Sequence, residues 1–142
     1  MKLNAGLPIA ALCLALSPAY AENDRCALLT RQEAASILGM PVSPGKTAGP
    51  AASACQFDND DDGYVQVQVI DDPRYWAPPK LAPDFRKVTG IGKEAYVVPE
   101  MGGWTAGALL EGRLAVVSLS GGKSSADAAV NLLRTVVGRL SS

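Results

Sequence analysis

Histidine is absent from all 142 residues. Its absence excludes His-based triads, imidazole general bases and most zinc sites, because imidazole titrates near neutral pH and is the commonest metal ligand. Aromatic residues are scarce at 6%, so two adjacent ones, Tyr75 and Trp76, stand out. Cysteine occurs only at Cys13, Cys26 and Cys55, and none of these sits in the close CxxC spacing of a redox pair. Acidic and basic residues nearly balance, 14 against 13, with no basic patch to recruit nucleic acid or an anionic membrane. No internal repeat is visible. Beyond the first twenty residues no apolar run approaches the roughly 20 residues of a membrane span.

What is present begins with an export signal. Lys2 gives a positive start, Leu7 to Leu16 is an apolar core interrupted by Pro8, and Ala19-Tyr20-Ala21 has the small-x-small form of a signal-peptidase site. Residues 1–21 therefore read as a signal peptide cleaved after Ala21. Cys13 does not read as a lipid attachment site, because Leu12 stands where a lipobox places a small residue. Residues 22–142 remain as a single domain, long enough to bury roughly two-thirds of its unfolded surface. With Lys2 removed from the 13 basic residues, 12 face 14 acidic ones and the net charge is −2. The expected location is periplasmic or secreted, and there Cys26 and Cys55 are expected to form a disulfide. Closing that loop of about 30 residues stabilises by roughly 3–4 kcal/mol in the chain-entropy picture.

Local patterns give the element order. Thr30 and Glu33 form a capping box, Leu29 can staple against Ala34, and Ile37 and Leu38 extend the apolar face. Gly39 ends this helix and Pro41 forbids its continuation. Pro41 to Ser53 reads as a surface loop. Ser53 to Phe57 and Tyr64 to Ile70 read as a hairpin in which Val65, Val67 and Val69 face one way and Tyr64, Gln66 and Gln68 the other. Lys80 to Lys87 reads as a helical turn. Glu94 to Val98, Trp104 to Leu110 and Arg113 to Leu119 read as three strands joined by glycine turns. A final helix, capped at Ser124 with Asp127 three residues on, carries Ala126, Ala129, Val130, Leu133, Val136, Val137 and Leu140 at helical spacing. The fold class is α+β: a mostly antiparallel sheet of about five strands with an N-terminal and a C-terminal helix, in the order α-β-β-(α)-β-β-β-α.

The combination of Cys26 and Leu28-Leu29-Thr30 ahead of a helix ending at Gly39, Cys55 with Phe57, Gly90-Ile91-Gly92-Lys93-Glu94-Ala95 and a terminal helix resembles certain secreted domains of unknown function. These are common among actinobacterial lipoproteins and have a Mog1/PsbP-like layout. The resemblance spans most of the mature chain, implies fold and export, and brings no catalytic residue with it. The lipobox that many such domains carry is missing here.

Asp58-x-Asp60-x-Asp62-Gly63 matches the first half of a calcium loop, where alternate carboxylates line one side of a turn and glycine permits the bend. Val69 occupies the twelfth position, where a bidentate glutamate belongs, and no helices flank the loop. The plainer reading is an acidic hairpin turn; the other is a calcium site of millimolar affinity. Gly122-Lys123-Ser124 copies only the end of a phosphate loop, with Val117 at the place of the first glycine. Ser120-x-x-Lys123 and Ser43-x-x-Lys46 both fit the serine–lysine pattern, and two matches in one short chain show its lack of specificity. Gly90-x-Gly92 precedes a strand and reads as a turn rather than a dinucleotide loop.

Tyr75-Trp76-Ala77-Pro78-Pro79 differs in kind. Adjacent aromatics in an extended, proline-stiffened segment cannot both enter a core, so Tyr75, Trp76 and Pro78 form a candidate binding surface. The competing reading is a lid packed over the sheet edge. The functional expectation is an exported, non-enzymatic binding module for a protein or small ligand, requiring no cofactor. The alternatives are a calcium-stabilised structural module and an enzyme whose site carries no familiar motif.

Overall fold

The computed structural model describes residues 24–141. The signal peptide read over residues 1–21, Cys13 included, lies outside the described residues.

Helix α1 spans Arg31–Leu38 and starts as its sequence dictates. Thr30 Oγ1 accepts from the Glu33 amide at 3.1 Å, and Glu33 Oε1 accepts from the Thr30 amide at 3.0 Å. Gly39, at φ 71°, supplies the left-handed stop. Helix α2 spans Ala126–Leu140, and its cap is Ser125 rather than Ser124: Ser125 Oγ accepts from the Ala128 amide at 3.0 Å. The shift of one residue has a tertiary cause. Gly121 and Gly122 turn the chain with positive φ, Lys123 donates its amide to Leu38 O, and Ser124 donates its own to Gly121 O. Only after that turn does the backbone become extended, at Ser125.

Between the helices lie strands β1 (Lys46–Ala48), β2 (Ala54–Asp58), β3 (Tyr64–Ile70), β4 (Arg86–Val88), β5 (Glu94–Glu100), β6 (Gly103–Leu109) and β7 (Leu114–Ser120). They form one antiparallel sheet in the order β1-β2-β3-β7-β6-β5-β4. The α+β class and antiparallel sheet agree with the sequence, but among the described residues the strands number seven rather than about five. The two additional strands are three-residue edges. β1 lies inside the stretch read as a loop and pairs Thr47 with Cys55. β4 takes up only the end of the stretch read as a helical turn over Lys80 to Lys87, the rest of which forms non-helical turns, and it pairs Lys87 with Tyr96. Pro79 and Pro83 break that segment into turns, and Asp84 sits at φ 57°, so a helix cannot propagate through it. Edge strands this short and basic also resist pairing with other chains.

One face of the sheet is the core. Val65, Val67 and Val69 are fully buried there with Phe57, Val117 and Leu119, under Leu38 of α1 and Leu133 and Val136 of α2. Each such side chain contributes about 1.5–3 kcal/mol of burial. Alanines at 95, 106, 108 and 115 make the sheet surface shallow where α2 lies across β5, β6 and β7. Arg139 of α2 grips Glu33 of α1, with Nη2 to Oε2 at 2.6 Å, and donates to Leu28 O at 2.8 Å. The disulfide joins Cys26 to Cys55, 29 residues apart, fixing the segment ahead of α1 to β2.

Candidate functional site

The segment after β3 is shaped by its acids. Asp72 Oδ1 accepts from the Arg74 amide at 3.0 Å and its carboxylate pairs with the Arg74 guanidinium, closing a single tight turn over Pro73–Tyr75. The turn sends the two aromatics in different directions. Tyr75 is 68% exposed, whereas Trp76 is half-buried against the sheet face that carries no helix. Trp76 Nε1 donates to Glu94 Oε2 at 2.9 Å, and its ring packs 5.5 Å from that of Tyr96. Tyr96 also stacks on Phe85 at 5.5 Å. Gly107 makes room for this layer: a Cβ there would lie 2.7 Å from the Tyr96 ring. Burial pushes the Tyr96 hydroxyl pKa upward, and the charge of Glu100 adds to the shift. Pro78 is half-buried beside this cluster in sequence. Of the three residues singled out by sequence, only Tyr75 stands largely in solvent.

Tyr75 lies at a cleft of about 530 Å³ whose walls include Pro50, Ala51 and Ile70 and whose charged residues are Arg25 and Asp71. Its position follows from local chemistry. Asp24 Oδ1 accepts from the Cys26 amide at 2.9 Å, forming a tight turn at Arg25–Ala27, and the disulfide pins that turn to β2. Arg25 is thereby buried, 7% exposed, beside the end of β3. Its Nη2 donates to Asp71 Oδ2 at 2.9 Å, while its Nε is buried without an acceptor. A buried donor left in that state costs about 1–3 kcal/mol. Arg113 approaches the other carboxylate oxygen of Asp71, Nε to Oδ1 at 3.5 Å. Beside the cleft, Gln68 Nε2 donates to Ser53 Oγ at 3.1 Å. Ala51 and Ala52 hold φ of 52° and 54°, a left-handed conformation costing about 1–2 kcal/mol per non-glycine residue. Strain of this kind concentrates at sites that bind or switch.

Sequence reasoning missed Arg25 and Asp71. In the sequence Arg25 is only the neighbour of Cys26, and Asp71 only the acid that follows Ile70.

The acidic turn is organised by its asparagine. Asn59 Oδ1 accepts from the amides of Asp61 and Gly63, and its Nδ2 donates to Met40 Sδ. Asp58 is engaged elsewhere, with Lys46 Nζ at 2.9 Å and Gln56 Nε2 at 2.6 Å. The Gln56 hydrogen bond, followed by Lys46, holds its carboxyl below the usual range. Asp60 and Asp62 are exposed on the turn, Asp62 at φ 61°. Among the described residues, no three His, Cys, Asp or Glu side chains are grouped to hold a metal ion.

The remaining motifs occupy structural positions. Lys123 joins α2 to the end of α1 through its amide, and its side chain covers Gly39, where a Cβ would lie 2.8 Å from Lys123 Cδ. Ser120 Oγ donates to Gly102 O at 3.3 Å. Ser43 donates its amide to Asp58 O. Gly90 and Gly92, both at positive φ, turn the chain into β5. Among the described residues no helix is long and apolar enough to cross a membrane. No protein-family model, curated protein or solved structure matches this chain.

Proposed function

We propose that this chain is an exported, non-enzymatic binding module whose small ligand enters the cleft beside Tyr75. The observation that carries the reading is the pairing of an aromatic side chain 68% exposed with a cleft of about 530 Å³. Ligand clefts fall at roughly 300–1,000 Å³, mostly apolar with a few polar groups. The disulfide holds one wall and the sheet another, so the shape exists before the ligand arrives, which lowers the entropy lost on binding. Export and an oxidising location, periplasmic or extracellular, are supported by the signal-like first 21 residues and by the disulfide.

The test is a fragment titration followed by amide NMR on the disulfide-bonded mature chain. Small apolar and aromatic fragments should shift the resonances of Ser53, Gln68, Ile70 and Tyr75 together. Tyr75→Ala should weaken the best fragment about tenfold and change unfolding free energy by no more than about 0.5 kcal/mol. Fragment shifts that cluster elsewhere, leaving these four unmoved, refute the cleft as the site.

A further inference from the structure

We infer that the cleft selects a small monoanionic amphiphile, a single carboxylate on an apolar body. This inference rests on the reading of the cleft as the ligand site, and it comes from the charges there. Two guanidinium groups, Arg25 and Arg113, share the one carboxylate of Asp71, at 2.9 and 3.5 Å. The neighbouring Asp72 and Arg74 neutralise each other, and Arg74, its side chain 87% exposed, does not line the cleft. Arg113 is not part of the cleft wall, but through its contact with Asp71 the cluster of Arg25, Asp71 and Arg113 carries one positive charge more than its carboxylate neutralises.

Within that cluster Arg25 is the member shielded from water, whereas Arg113 and Asp71 are partly exposed. Arg25 is 7% exposed, and among the described residues its guanidinium donates a single hydrogen bond, to Asp71. A guanidinium offers five N–H donors in a fixed fork that matches carboxylate geometry, so it has capacity for a second anionic acceptor. Burial strengthens the attraction, because less water screens it. A cationic ligand would meet the opposite situation, since Asp71 is already bracketed by two cations. The apolar part of the ligand follows from the walls: Pro50, Ala51, Ile70 and Tyr75 present carbon surface alongside Arg25. The match is therefore an acid with a hydrocarbon or aryl tail, held at its head by Arg25 and along its body by Tyr75 and Ile70.

The experiment uses the mature, disulfide-bonded protein at low ionic strength with three probes of equal chain length: octanoate, octanol and octylammonium. Amide and guanidinium NMR shifts give affinity and location. Octanoate should bind at least tenfold more tightly than octanol, moving Gln68, Ile70, Tyr75 and the Arg25 Nε–H, and octylammonium should bind more weakly than octanol. Arg113→Gln removes a partly exposed guanidinium, and it should lower octanoate affinity several-fold more than octanol affinity. Arg25→Gln should abolish the preference for octanoate. If that variant does not fold, the Arg113→Gln comparison decides. Equal binding of octanol and octanoate within the cleft overturns the anion selection and leaves the cleft as the ligand site. Absence of cleft shifts with all three probes, while other fragments still bind there, also overturns it. Silence of the cleft toward every probe and fragment removes the underlying reading as well.

Discussion

Trp76 donates its indole Nε1–H to Glu94 Oε2 at 2.9 Å while its ring lies 5.5 Å from Tyr96, so the loop after β3 is stapled to β5. The staple separates two neighbouring aromatics into a structural one, Trp76, and a solvent-facing one, Tyr75. Trp76→Ala should therefore cost about 2–3 kcal/mol of unfolding free energy, below the range for a fully buried tryptophan because this one is half-buried. Trp76→Phe keeps an aromatic ring but removes the indole donor to Glu94, which retains Lys80 at 3.8 Å, and should cost about 1 kcal/mol. Urea unfolding followed by circular dichroism measures both. An unchanged midpoint for Trp76→Ala would show that the ring is a free surface group after all.

The Cys26–Cys55 bond closes a separation of 29 residues and holds Arg25 beside the cleft. Replacing both cysteines by serine should lower stability by about 2–5 kcal/mol. The same change should weaken any cleft ligand beyond the loss of stability, because the Arg25–Ala27 turn loses its anchor. Denatured, unreduced wild-type protein should take up no alkylating reagent at either position; labelling at both refutes the bridge.

Acid should loosen the contact between the helices. Hydrogen bonds from Arg139 first, then from the Thr30 backbone, lower the Glu33 pKa to about 2 from an ordinary 4.5. A depressed folded-state pKa means stability that is fully present above the unfolded value and lost as pH falls from about 4.5 through about 2. The pair is partly exposed, with side chains 35% and 40% accessible, so solvent screening holds its contribution to about 0.5–1 kcal/mol. Denaturation midpoints measured across that window should fall less steeply in Glu33→Gln than in wild type. Identical slopes would mean that the pair contributes nothing.

Calcium should act weakly if at all. Asp58 already meets Lys46 at 2.9 Å and Gln56 at 2.6 Å, and Asn59 closes the turn. Millimolar calcium should leave the melting temperature unchanged, since only ligands that bind the folded state raise it. A clear rise that disappears in Asp60→Ala would restore the calcium-loop reading of Asp58, Asp60 and Asp62.

Periodic and covalent features were legible in the chain itself. The alternation of Val65, Val67 and Val69, the Thr30–Glu33 capping box, the Gly39 stop, the apolar stripe of α2 and the Cys26–Cys55 pairing all depend on residues close in sequence or on the scarcity of cysteine. Local stereochemistry or simple counting determines each of them. Edge strands β1 and β4 were not legible, because three residues show no period and become strands only when Cys55 and Tyr96 arrive beside them. The cap on α2 moved to Ser125 because a contact with Leu38, far away in the chain, consumed the turn before it. Tertiary structure also decided which aromatic faces water, since Glu94 and Tyr96 claim Trp76 and, among the described residues, nothing comparable claims Tyr75. The pairing of Arg25 with Asp71 crosses 46 residues. A charge has no sequence periodicity that reveals its partner, so only the folded chain brings those two together at the cleft.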